Sequence, residues 1–186
     1  MTDIKEIFSK YYSGNDTLLA IVTLHSECVA RKAVDCAKAS GLDIDLAFIH
    51  EAAMLHDIGV IACDAPSIHC HGSLPYICHG IAGREMLEKA GLPLHALVCE
   101  RHTGAGLTVE DIVRQNLPLP HRDMLPLSPE EKAICYADKF FSKSGDLTKE
   151  KPLDKVIRQM EIHGKDSLQR FLALHEIFGK HKVHSL

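Results

Sequence analysis

Residues 46–60 read LAFIHEAAMLHDIGV. Ile49, Ala52, Ala53 and His56 recur every three or four positions, so a helix over Ile44–His56 carries His56 on its apolar face. Asp57 follows at once, and Gly59 offers a place for the helix to end. A carboxylate at the inner end of a core helix poses an electrostatic problem. Facing a core while ionised, it is penalised by several kcal/mol unless a cation or a hydrogen-bond donor pairs with it.

The same combination recurs along the chain. His25 shares a stripe with Ile21, Val29, Ala33 and Cys36, and His79 leads one made of Ala82, Gly83, Met86 and Ala90. His102 closes a stripe of His95, Val98 and Cys99. Asp138 lies between Ile134 and Phe141 on a helix opened by Ser128-Pro129-Glu130-Glu131, where serine suits the N-cap and proline the first turn. No arginine on its own helical face can neutralise it. Four histidines and two aspartates aimed inward from separate segments read first as a metal centre. His50, His95 and His175 take the ordinary reading of hydrogen-bonded core histidines.

Periodicity predicts helices over 4–12, 18–39, 44–56, 80–90, 94–102, 109–116, 129–142, 153–163 and 165–178, with no alternating strand among them. Turn chemistry punctuates them at Ser13-Gly14-Asn15-Asp16, Ser40-Gly41, Gly91, Gly104 to Gly106, the proline-rich Leu117–Pro129, and Ser144-Gly145-Asp146. The expectation is one all-α domain over 1–186, with its core in 18–142 and C-terminal helices over 153–178. At 186 residues, with 46% apolar and 25% charged content, the chain can bury a sizeable core. A net charge of -4 with dispersed basic residues argues against duplex nucleic acid as a partner. No segment reads as a leader or a membrane span, which places the protein in the cytoplasm. Seven cysteines, an odd count, fit reduced thiols, with Cys28, Cys36, Cys99 and Cys135 as small core residues. The tail GKHKVHSL is short and polar, so its histidines are weak ligand candidates.

Several of these stretches carry a family resemblance. MLHDIGV (54–60) resembles the signature of the HD-domain superfamily of metal-dependent phosphohydrolases, and HGIAGREMLEKAGLP (79–93), ERHTGAGL (100–107) and EEKAICYADKF (130–140) continue it in order. Spanning roughly Leu18 to Ser142, it is similar to a prokaryotic branch of small single-domain HDIG-type proteins. The resemblance implies an all-α HD-domain helical bundle. It further implies that His25, His56, Asp57 and Asp138 hold one metal and His79 and His102 a second, with Asp57 bridging. Imidazole and carboxylate donors without thiolate suit two divalent ions, iron or manganese, with zinc possible. The expected activity is that of a phosphomonoesterase or phosphodiesterase acting through a metal-bound hydroxide on a nucleotide or other small phosphoester. A di-iron oxygenase of a small polyol or phosphonate shares the ligand pattern, and a non-catalytic nucleotide sensor is a third reading.

Substrate contacts are sought among Arg84, Arg101, Lys139 and Lys143, which lie near ligands in sequence. Lys139, about 100° around the helix from Asp138, is expected at the rim. Glu27, Glu51 and Glu85 are candidates for orienting ligand imidazoles. Phe48, Tyr76, Tyr136, Phe140 and Phe141 are available to stack on a base but are expected to serve in packing. Between Gly59 and His79 the chain departs from the family pattern. Cys63, His69, Cys70, His71 and Cys78 in that segment lack paired CxxC motifs, which argues against a separate zinc. A lid is the alternative, with His69 or His71 protonating the leaving oxygen beside Asp57 as the central catalytic residue. Apolar stripes pack equally well within a chain or against a copy, so the oligomeric state stays open.

Overall fold

The computed structural model describes residues 3–179. Among these, nine α-helices carry the chain: α1 (Ile4–Tyr12), α2 (Asp16–Ser40), α3 (Leu46–Leu55), α4 (His79–Lys89), α5 (Pro93–Arg101), α6 (Val109–Arg114), α7 (Pro129–Asp138), α8 (Leu153–Ile162) and α9 (Lys165–Phe178). The fold is all-α, as the sequence predicts. Local chemistry sets the helix starts. Side chains of Asp3, Asn15, Asp45, Thr108 and Ser128 each accept from a backbone N–H in the first turn of the helix that follows. Thr108 and Asp111 complete a reciprocal capping box. Helix α3 starts two residues later than periodicity suggests because Asp45 takes the N-cap.

Helix α2 packs against α3 and α7 through side chains that are mostly small. Val22, Val29, Ala33 and Cys36 meet a core shared with Ile49, Ala52 and Ala53 of α3 and Ala133, Ile134 and Ala137 of α7, all buried. Short side chains bring the helix backbones close, so His25 from the middle of α2 meets groups at the ends of α3 and α7. Helices α8 and α9 join the same core through Val156, Met160, Phe171, Leu174 and Phe178. The Phe171 ring stacks on Tyr136 of α7 with centroids 5.7 Å apart. All seven cysteines are buried and reduced, among them the four expected in the core.

Residues 58–78 differ from the open loop the sequence suggests. Three 3₁₀ turns (Ile58–Ala62, Pro66–Ile68, Tyr76–Cys78) flank an antiparallel hairpin of strands β1 (Asp64–Ala65) and β2 (Cys70–His71). Two-residue strands are too short to leave an alternation in sequence. Their pinning is local: the Cys70 thiol donates to the Val60 and Cys63 carbonyls at 2.7 and 2.8 Å. Asn15 donates its amide to the His69 carbonyl at 3.0 Å. A Cβ on Gly72 would stand 2.2 Å from the Ala62 backbone, so the hairpin is seated against the 58–62 turn. Among the described residues, no helix is long and apolar enough to cross a membrane. The tail from residue 180 onward lies outside the described residues.

Candidate metal centre

His56 and His102 follow the last residues of α3 and α5, where helix carbonyls have lost their intrahelical partners. Each ring uses the carbonyl three residues back: Nδ1 of His56 lies 2.6 Å from the Ala53 oxygen, and Nδ1 of His102 lies 2.8 Å from the Cys99 oxygen. His79, at the start of α4, makes the same contact with the Tyr76 carbonyl at 2.7 Å. A carbonyl only accepts, so each Nδ1 carries a proton and donates it, which leaves Nε2 as the nitrogen that turns a lone pair to the cluster whenever the ring is neutral. These backbone oxygens fix the ring orientation. Glu27 and Glu85, considered for that task from sequence, are exposed, and Glu51 stands beside His95.

The six side chains meet around Asp57, which is fully buried. Its Oδ2 lies 3.2 Å from His25 Nε2 and 3.0 Å from His56 Nε2, while Asp138 Oδ1 lies 3.0 and 3.5 Å from the same two nitrogens. Its Oδ1 lies 3.5 Å from both His79 Nε2 and His102 Nε2. Two donor sets result, His25–His56–Asp57–Asp138 and Asp57–His79–His102, each with one ligand atom per residue within 4.8 Å of the others. Asp57 belongs to both.

This donor set fits divalent metal. Both Asp57 carboxylate oxygens, His56 Nε2 and His25 Nδ1 are buried without a hydrogen bond of acceptable geometry. His79 Nε2 and His102 Nε2 face each other at 3.1 Å, two lone pairs in contact. Protonating them is disfavoured: burial, and then the neighbouring His102, push the His79 imidazole down to about 3, and burial lowers His102 as well. At the other half, Asp57 and Asp138 overcome burial and lift His56 to about 9. The Asp57 carboxyl is held well below the usual range, His56 and Lys143 outweighing its burial. The two carboxylates thus hold positive charge on His56, and a divalent cation would take the place of that proton.

No arginine reaches Asp138, as expected, but two lysine cations are already close. Lys139 lies at the buried edge, not at an exposed rim: its ammonium stands 2.8 Å from Asp138 Oδ2 and donates to the His102 carbonyl at 3.0 Å. A long stem lets it reach back across the helix end. Lys143 approaches Asp57 Oδ2 at 2.7 Å and lies 6.0 Å from the Tyr76 ring centre. Arg84 and Arg101 are not brought in. Buried Glu100 takes Arg84, which also donates to Glu88 at 2.9 Å, and buried Glu131 takes Arg101 at 3.1 Å to each oxygen. Buried carboxylates need such partners, so both arginines are engaged in the scaffold. His69 and His71 sit exposed on the hairpin, and no hydrogen bond or ion pair joins their side chains to the cluster among the described residues. Cys63, Cys70 and Cys78 donate to carbonyls and enter neither donor set.

Two clefts flank the cluster. On the Asp138 side, one of about 440 Å³ is lined by Lys139, Lys143, Lys151, Gln159 and His163. Toward His79, one of about 360 Å³ is lined by Tyr76, Ile77, Leu107, Gln115 and Leu117. Gly104 and His163 belong to both. Lys151, Gln159 and His163 escape sequence reading because they follow the recognisable motifs and occupy no apolar stripe. Burial, with Lys139 and Lys143 adding to it, holds the Lys151 ammonium below the usual lysine value despite the pull of Asp138. Tyr12 is a further unanticipated group, since its hydroxyl donates to the Ile58 carbonyl beside the Asp57 turn.

Comparison with known proteins agrees with this geometry. A protein of Methanocaldococcus jannaschii described as uncharacterized is 33% identical over 162 residues, covering 83% of this chain and 86% of the relative. A tRNA (cytidine(56)-2'-O)-methyltransferase of Picrophilus torridus is 32% identical over 80% of this chain. Another of Thermoplasma volcanium is 29% identical over 90% of this chain. The chain spans only 38% and 44% of the lengths of those two. No solved structure matches it significantly. The HD domain family model matches residues 22–142, a span that contains all six converging side chains, and the chain belongs to the HD-domain family.

Proposed function

We propose that the protein is a metal-dependent phosphohydrolase that cleaves a small phosphoester, a nucleotide by preference, at a dinuclear centre. The observation that carries this reading is the Asp57 carboxylate set between two donor groups, with the facing His79 and His102 lone pairs 3.1 Å apart on one side. His25, His56, Asp57 and Asp138 would hold one ion, and Asp57, His79 and His102 the other. Iron or manganese suits these donors, and zinc is compatible with them. When bound, such ions polarise a phosphoryl oxygen and lower the pKa of water to about 7.

The chain's own groups complete the reading. Once Asp57 and Asp138 serve as ligands, the Lys139 and Lys143 ammonium groups become charge-assisted donors to phosphoryl oxygens. Ammonium groups at this edge fit a phosphate better than an uncharged polyol, which favours hydrolysis over oxygenation. All six ligand positions are filled, which favours catalysis over a sensor that has lost its metal. The tRNA methyltransferases to which part of the match extends support a nucleotide as the organic portion.

Metal analysis of the purified protein, followed by phosphate-release assays on mono-, di- and cyclic nucleotides under air and under nitrogen, tests the proposal. Two ions per chain and equal turnover in both atmospheres support it. Turnover that requires oxygen, or no release from any phosphoester with metal loaded, rejects it.

A further inference from the structure

Among the described residues, Lys151 is the lysine of the cleft that pairs with no carboxylate. Its ammonium donates to the Lys139 carbonyl at 3.0 Å and to Gln159 Oε1 at 3.4 Å, both neutral acceptors. Lys139 and Lys143 pair with Asp138 and Asp57, which are metal-ligand candidates. With Asp57 Oδ2 on metal, Lys143 gives up its anionic partner, and Asp138, whose Oδ1 faces the histidines, keeps only Oδ2 for Lys139, so three ammonium groups line one cleft against a single carboxylate oxygen. Asp138 is the only acidic residue among those lining it in the described structure. Half-buried like charges this close repel one another, so the arrangement is stabilised by an anion of more than one charge.

We propose that Lys151 and Gln159, with Lys139, form a second anion subsite that takes a further phosphate group of the substrate, beyond the one that reacts. This rests on the phosphohydrolase reading and narrows it to phosphoesters bearing at least two phosphates. Lys151 and Gln159 lie after residue 142, where the match to the HD domain ends, while Lys139 lies inside it, so the subsite joins the matched domain to the segment that follows. The neighbouring apolar cleft, with Tyr76, Ile77, Leu107 and Leu117 around the amide of Gln115, leaves room on the other side of the metals for the uncharged portion. A purely structural role for Lys151, as a cap on the end of α7 through the Lys139 carbonyl, would instead lower stability and leave ligand preference untouched.

The test compares calorimetric binding of methylenediphosphonate and methylphosphonate to the metal-loaded protein, with metal content measured before and after. The wild type should prefer the diphosphonate at least tenfold. Lys151→Gln should reduce that preference about tenfold, and Lys151→Arg should restore most of it, as expected for loss and return of a charge-assisted contact. Lys155→Gln, an exposed lysine on α8, controls for loss of charge alone and should leave the preference intact. If Lys151→Gln fails to fold, Gln159→Glu, which sets a carboxylate beside the ammonium, must lower the same ratio. An unchanged preference in a folded Lys151→Gln protein overturns the subsite. Preference that depends on Lys151 without turnover of any phosphoester would leave the subsite standing and remove the phosphohydrolase reading.

Discussion

The Tyr12 hydroxyl donates to the Ile58 carbonyl at 3.1 Å, tying α1 to the turn that carries Asp57. The Asp57 carbonyl lies 3.4 Å from the same oxygen. Tyr12 is only 1% exposed, so its removal leaves that acceptor pair dry. Tyr12→Phe should cost about 1–3 kcal/mol, the penalty for an unsatisfied buried group. Urea denaturation measures it. A loss indistinguishable from zero would show that water replaces the phenol there.

Gly59 predicts a larger effect for a different reason. A Cβ at this position would stand 2.1 Å from the His79 carbonyl oxygen and 2.2 Å from the Gly83 nitrogen, both backbone atoms that cannot rotate away. The sequence reads Gly59 as a helix terminator, yet its role is to let α4 approach the Asp57 turn. Gly59→Ala should therefore push α4 outward, carrying His79 with it. We expect a loss of about 3 kcal/mol or more, at the upper end of overpacking effects. Thermal melting and metal content should fall together, and a normally melting Gly59→Ala protein would contradict the packing described.

Metal stoichiometry should sort the ligands by half-site. Asp57→Ala removes the residue common to both sets and should abolish tight binding of both ions, whereas His102→Ala should leave the four-residue set and retain about one ion per chain. His56→Ala should deplete the ion at the His25 side and abolish activity. His95→Ala is the control: its ring lies 3.6 Å from Glu51 and packs on Phe48, away from either set, so metal content should not change. Elemental analysis after dialysis reads all four. Equal loss in His95→Ala would mean that packing, not ligation, governs metal content.

How much of this was legible follows from how each contact is encoded. His25, His56, His79, His102 and Asp138 sit on or beside apolar stripes, and a stripe fixes which way a side chain faces, so their convergence is foreshadowed in one dimension. Orientation of the rings is not, because the acceptors are the carbonyls of Ala53, Tyr76 and Cys99, and every residue has a carbonyl. Arg84 and Lys143 looked equivalent by nearness to ligands. Their fates diverged because buried Glu100 claims the first, while the turn after α7 delivers the second to Asp57. Lys151 lies outside any periodic segment, so only its reach to the Lys139 carbonyl and to Gln159 of α8 reveals it.

Asp111 supplies a pH prediction away from the metals. It accepts from the Thr108 N–H at 3.2 Å and from Arg170 of α9 at 2.5 Å, and Arg114 also pairs with it. These partners outweigh burial and lower its carboxyl below the ordinary value. A carboxyl depressed on folding adds stability above its unfolded pKa and loses it as pH falls through the folded value. The contribution is thus full near neutrality and declines below about pH 4, the unfolded aspartate range. Asp111→Asn should destabilise the protein by about 2 kcal/mol at pH 7, since the buried ionised acceptor of the partly exposed Arg170 guanidinium is gone. That difference should shrink progressively in urea titrations from pH 5 to pH 3. Arg170 also lines the apolar cleft, so loosening α9 should weaken binding of whatever ligand that cleft takes, with little change in metal content. A difference independent of pH would show that Asp111 acts through shape and hydrogen bonding alone, without its charge.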